Sequence, residues 1–153
     1  MYFDAKAITQ LISDEAAAAK AAPVITALRK RFTSPLAVVE AVLVLGGEDR
    51  AATEAQVQAF LDTAGIEMRD IPPANKLIEA AAKAEAGDTL SVLNAACAEY
   101  YEVETFVLAD ALAAAEAAAQ AAAVAATPAA APAADKAVIS TPTPPPASNG
   151  ADS

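Results

Sequence analysis

Met1-Tyr2-Phe3-Asp4-Ala5-Lys6-Ala7-Ile8 is the stretch on which the fold turns. Three apolar residues end in an acid, and helical spacing follows at once, with Ala5, Ile8, Leu11 and Ile12 on one face. That reads as a short strand closed by Asp4 and followed by a helix. The pattern then recurs. Phe32-Thr33-Ser34 predicts a second strand, and Ser34-Pro35 a helix start with Ser34 as cap. Ile66–Ile71 alternates and stops at Pro72-Pro73, predicting a third strand. Thr105–Leu108 predicts a fourth, ending near Asp110. Strands alternating with helices imply a parallel sheet with right-handed crossovers. The expected fold is therefore α/β, a three-layer α/β/α sandwich on a short parallel sheet.

The helices between are read from caps and breakers. Ser13 is a candidate cap for a helix running to Arg29-Lys30, which Pro23 should kink or split. Leu36–Leu45 should face inward through Leu36, Val39, Val42 and Leu43 and end at Gly46-Gly47. Thr53 is a candidate cap for a helix with Val57, Phe60 and Leu61 inward, ending at Gly65. Ala74–Ala86 and Thr89–Glu102 follow, the second capped by Asp88 and facing in through Leu90, Leu93, Cys97 and one of Tyr100 and Tyr101.

Composition sets the domain limits. The chain has 153 residues, and 46 of them are alanine. Alanine favours helix and adds little core. Large apolar residues nearly end at Leu112, which predicts a domain over 1–112, an Ala-rich helix over 113–126 and a disordered Pro/Ala-rich tail over 127–153. No segment is expected to span a membrane, and no secretory signal is expected, because Asp4 and Lys6 interrupt the N-terminus. The expected location is cytoplasmic.

Several chemistries are excluded. There is no histidine and a single cysteine, Cys97, so His-based acid/base catalysis, Ser-His-Asp sites and Cys/His zinc sites are ruled out. The net charge is −10, and Glu85–Glu116 holds seven acids and no Lys or Arg. Such a chain has no general attraction for nucleic acid. Its carboxylates suit hard cations. Asp4 and Asp110 should lie at the carboxyl edge of the sheet, where sites form in such folds. Glu40 sits within an apolar helical face, where an unpaired charge is costly, and Asp88 starts the helix that leads into the fourth strand. Carboxylates converging there would hold Mg²⁺ or Mn²⁺, which activates water against a phosphodiester.

These blocks together resemble PIN-domain ribonuclease toxins of the VapC type. The opening Met1–Ile8, the acidic pair Asp14-Glu15, Thr33-Ser34-Pro35-Leu36-Ala37-Val38-Val39-Glu40-Ala41, Gly65-Ile66-Glu67, Gly87-Asp88-Thr89-Leu90-Ser91, Ala96–Val103 and Leu108-Ala109-Asp110 are similar to that family's blocks in order and spacing, from Met1 to about Leu112. The resemblance implies a metal-dependent endoribonuclease, the toxin of a type II toxin–antitoxin pair. It also implies Asp4, Glu40, Asp88 and Asp110 as both catalytic and Mg²⁺- or Mn²⁺-holding acids, an RNA substrate, a VapB-type antitoxin and a homodimer.

The chain departs from the family in four places. Lys6 replaces Ser or Thr. Counting back from Asp110 puts Ser91 at the third acid's position, three residues after Asp88. Ala111 replaces one Asp of the Gly-Asp-Asp turn, and the basic loop before the third acid is short. These departures point to the alternative, a catalytically degenerate PIN-like domain acting as a protein-binding or scaffold module.

Overall fold

The computed structural model describes residues 1–84 and 88–126; the tail expected over 127–153 lies outside them. Within them the chain forms helices α1 (Ala5–Ser13), α2 (Glu15–Ala27), α3 (Pro35–Leu45), α4 (Arg50–Ala64), α5 (Ala74–Lys83), α6 (Thr89–Tyr100) and α7 (Leu108–Ala126), with strands β1 (Phe32–Thr33) and β2 (Glu67–Met68). The architecture is mixed helix and parallel sheet.

The two strands pair in parallel, Phe32 opposite Glu67. The first and fourth expected strands are reduced to single parallel bridges, Tyr2 with Phe32 and Tyr2 with Thr105. Backbone hydrogen bonds tie the four extended segments in the order 105, 2, 32, 67: Tyr2 N–H to Glu104 O and Phe106 N–H to Tyr2 O, both 2.7 Å, then Phe3 N–H to Phe32 O at 2.7 Å and Glu67 N–H to Arg31 O at 2.9 Å. All four expected segments thus lie side by side. Leu108, expected to end the fourth strand, opens α7 instead, while α1 starts directly after Asp4 as the sequence predicts.

The central segment is deeply buried. Tyr2 and Phe3 are wholly inaccessible. The Phe3 ring stacks on Phe106 at 4.5 Å between centroids. Tyr2 stands near Tyr101, whose hydroxyl donates to the carbonyls of Arg69 and Asp70. The remaining core differs from expectation. Eight of its eighteen buried apolar residues are alanines. On α3 the buried residues are Ala37 and Ala41, while Val39 and Leu43 are more than half exposed. Leu90 is also exposed. Helices approach closest where side chains are small, so alanine occupies the contact lines and larger residues flank them.

Caps and ends show smaller shifts. Asp14, not Ser13, caps α2, and Asp49, not Thr53, caps α4; each carboxylate accepts a backbone N–H three residues on. A carboxylate at either place also meets the positive end of the helix dipole. Pro23 lies inside α2 without splitting it, and the helix stops at Ala27, before the basic cluster. Gly65 ends α4 in the left-handed region, φ +61°, where glycine carries no steric cost. The expected boundary at 112 falls within α7, which packs on α2 and α1. By length and composition alone α7 is apolar enough to cross a membrane. Its apolar character is almost all alanine, and Asp110 and Glu116 lie within it.

Candidate functional site

Tyr2 explains how the site is built. A tyrosine in the middle of a buried segment must find partners for its hydroxyl. It finds two: the hydroxyl lies 2.8 Å from Ser34 Oγ and donates to Asn94 Oδ1 at 2.7 Å. Ser34 comes from the end of β1, where it caps α3 by accepting the Ala37 N–H at 3.3 Å. Asn94 comes from the middle of α6 and is itself buried. Its Nδ2 donates to Glu40 Oε2 at 3.0 Å. A line of hydrogen bonds therefore runs from Ser34 through Tyr2 and Asn94 to Glu40, joining the central segment to α3 and α6.

The network settles how Glu40 sits in an apolar helical face. The carboxylate is half-buried, and a neutral amide donor meets it there. Burial pushes the Tyr2 phenol far above its ordinary value, the Ser34 hydrogen bond pulling the other way. Cys97, one turn on from Asn94, is wholly buried, and burial raises its thiol as well. Ser34, Tyr2 and Asn94 carry no charge at pH 7.

The other three acids lie apart from this line. Asp4 ends the first segment and caps α1, accepting the Ala7 N–H at 2.8 Å. It lines a hollow of about 360 Å³ with Lys6, Gln10 and the start of α7. Lys6 is exposed and makes no ion pair with Asp4; among the described residues the ion pairs are Arg69–Glu67, Lys76–Glu79 and Lys83–Glu79. Asp110 is exposed in the first turn of α7, where it complements the helix dipole. Asp88 caps α6 from the exposed side, accepting the N–H and the Oγ–H of Ser91 at 3.4 and 3.0 Å. Asp88 and Ser91, the two positions between which the family register is divided, thus bind each other.

The fit of a divalent ion can be judged from these donors. Mg²⁺ needs near-octahedral oxygen ligands. Among the described residues no three of Asp, Glu, His and Cys stand close enough together to hold a metal. One oxygen of Glu40 already accepts an amide N–H. As placed, the four expected acids do not form a three-ligand set among the described residues.

Asn94, Tyr2 and Ser34 did not stand out in the sequence as site residues. Asn94 had a readable signal. It is an amide three residues before Cys97 on an apolar helix face, and a buried amide needs partners. No protein-family model matches the chain, and no curated protein matches it.

Proposed function

We propose that this chain is a PIN-like domain of the VapC toxin type that works as a protein-binding module rather than as a nuclease. The hydrogen bond from Asn94 to Glu40 carries the reading, because it gives the one half-buried acid of the α3 face a protein partner in place of a cation. The order of the four extended segments supports the three-layer arrangement of the family. On α3 the exposed Val39, Leu43 and Val44 supply an apolar surface, the kind that protein partners cover. The partners the resemblance implies, a second copy or a VapB-type antitoxin, suit such a face better than RNA does, given a net charge of −10. A cytoplasmic location belongs to the same proposal.

One observation favours the second reading, a Mg²⁺- or Mn²⁺-dependent endoribonuclease. Asp4 and the start of α7, which carries Asp110, border one hollow. Incubating labelled single-stranded RNA with the intact chain and Mn²⁺, beside Glu40→Gln and Asp4→Asn, separates the two. The binding module leaves the RNA whole in all three. Metal-dependent cleavage by the intact chain that both substitutions abolish would establish the nuclease.

A further inference from the structure

Among the described residues the parallel sheet ends at β2. The ladder to β1 runs through Glu67 N–H to Arg31 O and Arg69 N–H to Thr33 O, both 2.9 Å. In a parallel ladder alternate residues face the neighbouring strand, so the N–H and C=O of Met68 point the other way. Among the described residues no backbone group pairs with them. Residues 67–71 are all exposed. An open edge of this kind is a template for a further strand. The edge is also held in place, because the Tyr101 hydroxyl donates to the carbonyls of Arg69 and Asp70 at its end.

The charges along the edge decide what fits it. Glu67 and Arg69 flank Met68 on one face of the sheet; they pair at 3.1 Å, and the guanidinium lies 4.5 Å over the Phe32 ring. A two-fold axis at Met68 would set each Glu67 opposite the other copy's Arg69, on that same face. The two Met68 residues would then exchange both N–H···O=C bonds, as a hydrogen-bonded antiparallel pair does. Their side chains, each half exposed in the single chain, would meet on the opposite face. We infer that this edge joins two copies of the chain, antiparallel and centred on Met68, into one continuous sheet. The same patch serves both copies, as a closed two-fold contact requires. Opposite charges placed across such a pair favour it and like charges oppose it. The edge shares no residue with the exposed face of α3.

Sedimentation of the full chain tests this. The average mass rises from one chain toward two as concentration approaches the millimolar range. Glu67→Arg and Arg69→Glu each set like charges opposite each other twice, and each variant dimerises about tenfold more weakly. Mixing the two variants, one of them fluorescently labelled, restores opposite charges at both positions, so a mixed dimer forms as readily as the original one. Met68→Pro removes an N–H that no bond within the chain uses, at an edge position where proline is tolerated, and leaves the chain monomeric. Leu43→Glu on α3 leaves the dimer intact. A chain that stays monomeric throughout overturns the pairing. So does a dimer that survives Met68→Pro, a dimer lost in Leu43→Glu, or a mixture of the charge variants no tighter than either alone. The charge comparison decides the matter even where circular dichroism shows that Met68→Pro fails to fold.

Discussion

Two stretches of α6 treat the same kind of polar residue in opposite ways. At its start, Asp88 faces solvent and spends its carboxylate on Ser91. Six residues on, Asn94 is buried and joins the Tyr2 hydroxyl to Glu40. The first is a local cap, which any helix of this length could carry. The second links residues 92 and 54 positions apart in the chain. The acid that the sequence marks as a ligand does the work of a cap. The amide that the sequence passes over holds the central segment, α3 and α6 together.

That contrast can be broken by substitution. Asn94→Ala leaves the Tyr2 hydroxyl and Glu40 without their shared partner and should lower stability by about 2 kcal/mol, read from urea unfolding. Tyr2→Phe removes the same line from its other end while keeping the ring. It should cost about 1 kcal/mol, and combined with Asn94→Ala it should cost less than the sum of the two, since both act on one network. Asp88→Ala loses a solvent-exposed cap and should cost about 0.5–1 kcal/mol, adding fully to either of the others. Equal losses at Asp88 and Asn94, or full additivity of Tyr2→Phe with Asn94→Ala, would remove the distinction between the two stretches.

A further effect is silent at neutral pH and sharpens the picture of a neutral line. Burial raises the Tyr101 phenol to about 12 and the Tyr2 phenol further. The folded state therefore favours both phenols protonated. Their stabilisation is fully present below pH 10, the ordinary tyrosine value, and is lost as pH rises from 10 through 12. Urea unfolding midpoints should hold steady up to pH 9 and fall above pH 10. A midpoint that stays flat to pH 12 would show both phenols free to ionise in the folded chain.

Much of the fold is legible in the sequence, for local reasons. Ser34-Pro35, Asp88 and Gly65 mark the ends of α3, α6 and α4 where the structure has them, because caps and left-handed stops depend on a few adjacent residues. Which face of a helix turns inward is not local. Periodicity favours Val39 and Leu43 on α3, yet Ala37 and Ala41 are the buried pair. In a chain so rich in alanine, both faces of α3 satisfy the same apolar spacing, and only the neighbours α1, α4 and α6 select between them. The site is partly legible for the same reason. Glu40 stands out as an acid among apolar residues, but its partner lies on another helix, 54 residues away. Asp4 lines a hollow beside the first turn of α7, Asp110 is exposed in that turn, and Asp88 belongs to the cap of α6.

Mn²⁺ titration of the intact chain by calorimetry, beside Asp4→Asn, tests the central claim most directly. The account predicts no saturable binding heat in either protein, because the amide of Asn94 already occupies one oxygen of Glu40 and no three acids among the described residues stand close enough to share an ion. One equivalent of Mn²⁺ bound by the intact chain and lost in Asp4→Asn would contradict it, and would return Asp4, Glu40 and Asp110 to the role of metal ligands.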